Sequence, residues 1–225
     1  MKWLVRGAIV VMVLLVAADF GARLLVENLA ARALASRRGF DGSVDVGFGG
    51  FPFLLHLKDR SFDTVTVEAE DVRSGGFAQA SVEQGTEVRV DSVRFEMRDV
   101  QVAGDVWGDD PDRRVRAAGG SGTAAIGQGA LNQLVPPEYD VRLTLLNDGV
   151  RVTGSVPGVG EQTVDVPADQ VRLEGPDLVI DAPAPIGAVR IPIPVLAEGV
   201  ELESAGVTRG RLDLTFAVRG LTVSL

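Results

Sequence analysis

From Gly39 to the end of the chain the apolar residues recur at every second position, and this change of period dictates most of what the chain can fold into. Thr64-Val65-Thr66-Val67-Glu68-Ala69-Glu70 alternates cleanly, as does Val141-Arg142-Leu143-Thr144-Leu145. Asn147-Asp148-Gly149 then predicts a tight turn, with Val150-Arg151-Val152-Thr153 as the returning strand. Val171-Arg172-Leu173, Leu178-Val179-Ile180 and Leu212-Asp213-Leu214-Thr215-Phe216-Ala217-Val218 extend the pattern. One face of each strand is aliphatic and the other carries Arg, Thr, Asp and Glu. The expectation is antiparallel sheet with one buried and one wet face.

Residues 87–103 are the most informative strand. Val88 and Val90 share one parity, Val93, Phe95 and Met97 take the other, and Val100 and Val102 return to the first. A one-residue slip sends every side chain to the opposite face. The two switches therefore predict bulges, which bend and coil a sheet. Val93, Phe95 and Met97 are expected inward, with Arg94, Glu96 and Arg98 in water. Such a strand wraps either a helix or a ligand.

Ahead of Gly39 the spacing is helical. Residues 19–38 predict one amphipathic helix, stopped by Gly39. Ala18, Ala22, Leu25, Val26, Leu29 and Ala33 form a stripe expected to face the sheet, with Leu25 and Leu29 in its interior. Asp19, Arg23 and Glu27 fall at i, i+4 spacing and are expected as a solvated ridge. Phe20, Leu24 and Ala31 make a second, narrower apolar strip. Further upstream, Lys2 and Arg6 precede the uncharged run Gly7 to Ala18, twelve residues long. A spanning helix needs about 20. Val16-Ala17-Ala18 fits cleavage after Ala18, and an uncleaved signal anchor is the alternative. Either way the positive end stays cytoplasmic and the body is exported. The expected organisation is a leader over 1–18 and one domain over 19–225.

Three stretches depart from alternation. Residues 107–118 read as a charged loop, 128–134 as a short helix stopped by Pro136-Pro137, and 183–194 as a proline-rich edge strand or strap.

Composition narrows the chemistry. The 225 residues contain no Cys and one His, which removes disulfides, thiolate sites, cysteine nucleophiles and multi-histidine metal centres. A body of this size holds a core without staples. With 22 Lys+Arg against 31 Asp+Glu the net charge is −9, a poor match for a phosphate backbone, so nucleic acid is not an expected partner. His56 reads as a strand-edge residue, because no activated nucleophile accompanies it. Gly47-Phe48-Gly49-Gly50 reads as a turn, with Phe-Pro-Phe and no helix after it. Asp109-Asp110-Pro111-Asp112 lacks the glycine and closing Glu of a calcium loop. Glu68, Glu70 and Asp71 read as a solvated face, and no Gly-x-Ser-x-Gly, phosphate loop or Ser-x-x-Lys occurs. Neither catalysis, nor a cofactor, nor a metal is expected. A surplus of aliphatic side chains remains, filling either an ordinary core or a tube for acyl chains, where each buried CH₂ contributes about 0.8 kcal/mol.

The order of pieces resembles a known family. Val44-Asp45-Val46 leads to Gly50-Phe51-Pro52-Phe53, then Phe62-Asp63-Thr64-Val65-Thr66-Val67 and the bent strand. Ala130-Leu131-Asn132-Gln133-Leu134-Val135-Pro136, the 141–152 hairpin and Ile191-Pro192-Ile193-Pro194 follow. The chain is similar, from about Asp19 to Leu225, to the actinobacterial lipomannan elongation factor-like family of exported lipid-binding proteins. The resemblance implies an α+β, tubular lipid-binding-like fold, a long helix held in a strongly curved antiparallel sheet. It also implies phospholipid binding, with phosphoinositide in the studied member, and a non-enzymatic part in lipoglycan maturation.

The leading reading is thus a monomeric cell-envelope protein, at the outer face of the plasma membrane, that shields acyl chains between helix and sheet. Leu25, Leu29, Phe51, Phe53, Val93, Phe95, Met97, Leu143, Leu145, Leu214 and Phe216 are the expected lipid contacts. Phe51 and Phe53 are placed in a turn at the mouth, and Lys58 and Arg60 as headgroup contacts. The alternative is a module with a filled core that steadies a membrane glycosyltransferase. A hydrolase on His56 or the Glu68/Glu70 strand lacks the groups a site needs.

Overall fold

The computed structural model describes residues 2–36, 41–73, 89–104, 114–193 and 199–224, with side chains from residue 12 to residue 222. Helix α1 runs unbroken over Lys2–Ala35, about 50 Å at the standard rise. It takes in the uncharged run that the sequence set apart as a leader. The expected stop at Gly39 lies outside the described residues. Among the described residues no helix is long and apolar enough to cross a membrane.

After α1 the chain is almost entirely strand, as the period-2 pattern requires. Strand β1 is Val44–Gly49, α2 is Phe53–Asp59, β2 is Ser61–Arg73, β3 is Arg89–Ala103 and β4 is Arg114–Ile126. Then come α3 (Gln128–Leu134), β5 (Val141–Leu145), β6 (Gly149–Val156), β7 (Gly160–Pro167), β8 (Val171–Glu174) and β9 (Asp177–Asp181). Strands β10 (Ala188–Pro192), β11 (Val200–Thr208) and β12 (Arg211–Ser224) close the chain. A curved, open, six-stranded antiparallel sheet has the order β1-β2-β3-β4-β12-β11. Two three-stranded sheets, β5-β6-β7 and β10-β9-β8, complete the α+β fold.

The β5–β6 hairpin and α3 form where the sequence placed them. Strand β10 is an edge strand, as the prolines of 183–194 require, with Pro194 outside the described residues. The expected charged loop over 107–118 is corrected in part. Its first half, with Asp109, Asp110 and Asp112, lies outside the described residues, and 114–118 belongs to β4. Helix α2 is a second correction, since a turn running into a strand was expected there. Extended Pro52 precedes the helix and Arg60, at φ 52°, ends it with its N–H on the Leu57 carbonyl.

The packed face of α1 is a third correction. Leu25 and Leu29 are 68% and 52% exposed. The residues against the core are Ala22, Val26, Ala30, Ala31 and Leu34, and the supposed solvated ridge runs alongside them. Asp19 is buried. Its carboxylate accepts the Phe53 amide at 2.9 Å and the Leu54 amide at 2.8 Å. Glu27 accepts the Phe48 amide at 3.0 Å and is held by the Arg23 guanidinium at 2.8 Å. The helix docks on β1 and α2 through acid-to-amide bonds, and charged acceptors make these stronger than neutral ones.

Both parity switches in β3 are present, but not through bulges. Its pairing with β2 and β4 keeps one register throughout. Instead the ladders pause and resume across one transverse line, Asp63 (β2), Asp99 (β3), Ala118 (β4) and Gly220 (β12). Asp99 and Gly220 have φ of 51° and 63°, and Gly50, one step past the Gly49–Thr64 pair, has φ of 108°. Every second strand thus enters the left-handed region, which flips its side chains by one position. Phe62, Val100, Ala117 and Leu221 lie on one side of this crease and Val65, Phe95 and Phe216 on the other, yet all join one core. A second crease passes Asp71, φ 51°, opposite Asp91. Val88, part of the expected pattern, lies outside the described residues.

Candidate functional site: an apolar sheet face and an exposed knob

The register builds the inner face row by row. One row crosses all six strands as Val46, Val67, Phe95, Gly122, Phe216 and Leu202. The next is Phe48, Val65, Met97, Gly120, Val218 and Val200. Strand β4 contributes glycines because β3 crowds it, through the Phe95 ring at Gly122 and through its backbone at Gly120. The Phe95 and Phe216 rings flank Gly122 with centroids 6.4 Å apart, and a Cβ on Gly122 would stand 2.5 Å from the Phe95 ring. Val46, Val65, Phe95, Gly122, Phe216 and Val218 are buried, whereas Phe48, Val67, Met97 and, on edge strand β11, Val200 and Leu202 are half-exposed.

Of the expected lipid contacts, Val93, Phe95, Met97, Leu214 and Phe216 come together on this face. Val93, Phe95, Leu214 and Phe216 are buried in the core, and Met97 is half-exposed. Leu143 and Leu145 are also buried, but in the β5-β6-β7 sheet. Leu25 and Leu29 do not join them. The sequence missed Val67, Val200 and Leu202; their signal was the same alternation, read without knowing which strands pair.

The Phe51 and Phe53 pair splits. Phe53 is 1% exposed and packs with Phe48 and Phe62, at centroid distances of 5.9 and 6.0 Å. Phe51 is 64% exposed, and Leu54 and Leu55 beside it are 41% and 55% exposed. Together they make an apolar knob at the α2 end of the sheet. Lys58 and Arg60 are exposed at its side, and an Arg60 Nη1 donates to the Gly104 carbonyl at 2.7 Å. Asp59 and Asp63 are exposed there too, so the charges round the knob balance. His56 belongs to α2 and not to a strand edge. Its Nδ1 lies 2.9 Å from the Ser61 carbonyl and its Nε2 3.6 Å from Asp63.

The outer face is polar. A concavity of about 300 Å³ there is lined by Ser43, Asp45, Glu68, Glu70, Ser92, Arg94 and Thr123, with Ala69 and Val93 at its floor. Glu68 pairs with Arg94 at 2.8 Å and Glu70 accepts the Ser43 hydroxyl at 3.1 Å. Asp71 pairs with Arg89 at 2.9 Å. These acids are occupied by ion pairs and a hydroxyl. On the outside of the β10-β9-β8 sheet, bonds from Arg190 and then Arg172 hold the Glu174 carboxyl below its ordinary range.

No curated protein and no solved structure matches the chain. A family model described as LmeA-like phospholipid-binding matches residues 17–217. The match begins two residues before Asp19, spans α2, the creased sheet and α3, and ends inside β12. It agrees with the resemblance carried by Gly50-Phe51-Pro52-Phe53 and Ala130-Leu131-Asn132, and the chain belongs to the LmeA-like phospholipid-binding family.

Proposed function

We propose that this protein is exported, remains at the outer face of the plasma membrane, and holds phospholipid acyl chains against the inner face of its large sheet. The observation that carries the reading is the apolar row on which Val67 and Leu202 stay half-exposed while Phe95, Gly122 and Phe216 between them are buried. An acyl chain lying over either half-exposed residue removes that surface from water, at about 25 cal/mol per Å². Membership of a phospholipid-binding family supports the same ligand. The role is non-enzymatic, in the maturation of envelope lipid or lipoglycan. Lys58 is the exposed cation placed to meet a headgroup, a phosphoinositide among the candidates, because Arg60 is partly engaged by Gly104.

Native mass spectrometry of the full chain extracted from its membrane tests this. The expected result is a species heavier than the polypeptide by one phospholipid, lost in Leu202→Glu while circular dichroism is unchanged. A bare polypeptide mass overturns the reading and favours the module that steadies a membrane glycosyltransferase.

A further inference from the structure

The end of the molecule that carries α2 is fixed with respect to the helix that precedes it. The Asp19 carboxylate holds the Phe53 and Leu54 amides, and Asp19 is the residue that ends the uncharged run beginning at Gly7. Helix α1 continues through that point without a break. From Asp19 to Ala35 it runs back along β1, as the Glu27 bond to Phe48 shows. In the other direction residues 12–18 are all exposed, so the apolar part of the helix projects past the α2 end of the body. The knob residues Phe51, Leu54 and Leu55 sit at the root of this projection. Phe20, which follows Asp19 on the helix, is 55% exposed. The opposite end is the β11–β12 turn, where Arg209 donates its N–H to the Asn147 carbonyl at 3.1 Å.

We propose that the knob formed by Phe51, Leu54, Leu55 and Phe20 is a bilayer-docking surface, so that the protein stands with its α2 end on the membrane and the β11–β12 turn pointing away. A bilayer is the occupant because the apolar helix leading to it and the knob meet at one residue, Asp19. Anything that takes up the uncharged run meets the knob next. The charges round the knob cancel, Lys58 and Arg60 against Asp59 and Asp63, so docking is apolar and insensitive to salt. The orientation rests on the membrane reading above and adds which surface makes the contact.

The chain has no cysteine, so single labels report single positions. Leu55→Cys and Asn147→Cys, each in the full chain, are labelled with an environment-sensitive dye and mixed with phosphatidylcholine–phosphatidylglycerol vesicles. Both positions are on the surface, and an unchanged circular dichroism spectrum confirms each fold. The expected result is that both proteins float with the vesicles at low and high salt. The label at 55 shifts to the blue and is quenched by spin-labelled lipid, and the label at 147 does neither. A chain that floats with the label at 55 still in water overturns the orientation alone. A chain that does not float overturns the orientation and the membrane reading together.

Discussion

Asn132 meets Leu143 as a neighbouring strand would: its Nδ2 donates to the Leu143 carbonyl at 2.7 Å and its Oδ1 accepts the Leu143 amide at 2.8 Å. The same Nδ2 reaches the Gln128 carbonyl at 2.9 Å. One side chain on α3 thus satisfies the outer edge of β5, where an open edge strand invites foreign pairing. The Ala130-Leu131-Asn132 segment, which carried part of the family resemblance, is a clip between helix and sheet.

Asn132→Leu removes both bonds and leaves the Leu143 backbone unsatisfied. The expected loss is about 2–3 kcal/mol, read as a lower urea midpoint. Asn132→Asp keeps the acceptor, drops the donor and sets a carboxylate against a carbonyl, so it should be no better tolerated. A midpoint like wild type for both variants would show the clip to be dispensable.

Asp19→Ala frees two amides of α2, and Pro52 at the start of that helix supplies no side-chain cap in place of the carboxylate. The expected cost is about 3 kcal/mol. Hydrogen exchange locates it, with the Phe53 and Leu54 amides losing protection before the β-sheet does.

Leu25→Asp and Leu29→Asp should each stay within about 1 kcal/mol of wild type, since both side chains stand in solvent and the helix has only propensity to lose. Val26→Asp places a carboxylate on the packed face and should cost several kcal/mol. Thermal melts of the three variants decide which face is docked.

Gly120→Ala should destabilise although the side chain added is the smallest available. A Cβ at this position would stand 2.2 Å from the Glu96 carbonyl oxygen, a backbone atom that cannot swing aside. Gly129, where nothing lies within 4 Å, serves as the control in the same urea series, and Gly129→Ala should be neutral or stabilising.

Glu174→Gln probes the acid limb. The folded-state pKa of Glu174 is depressed by Arg190 and Arg172. Its contribution is therefore present above the ordinary carboxylate pKa and is lost as pH falls through the folded value. The stability gap between wild type and variant should be widest near neutral pH and should close in acid. A gap that grows on acidification contradicts the assignment.

The strands were legible because alternation is a local property of the sequence. The hairpin at Asn147-Asp148-Gly149 and the inward set Val93, Phe95 and Met97 needed no knowledge of partners. The docked face of α1 was not legible, because Asp19 and Glu27 have the spacing of a wet ridge. What makes them interior is amide groups 35 and 21 residues farther along the chain. Helix α2 was hidden for a related reason, since its cap comes from Asp19 and not from a Ser, Thr or Asp of its own. The phospholipid-binding assignment came from the order of the pieces, and no motif in them performs chemistry.

The crease also constrains how such a chain can vary. Asp63, Asp99, Ala118 and Gly220 come from four different strands, yet they hold a single coordinate of the sheet. If β3 moved its flip by two residues toward Met97 while its neighbours did not, Arg98 would turn into the aliphatic interior. The position of the flip is a joint property of four strands distant in sequence, so it changes in all of them together or in none.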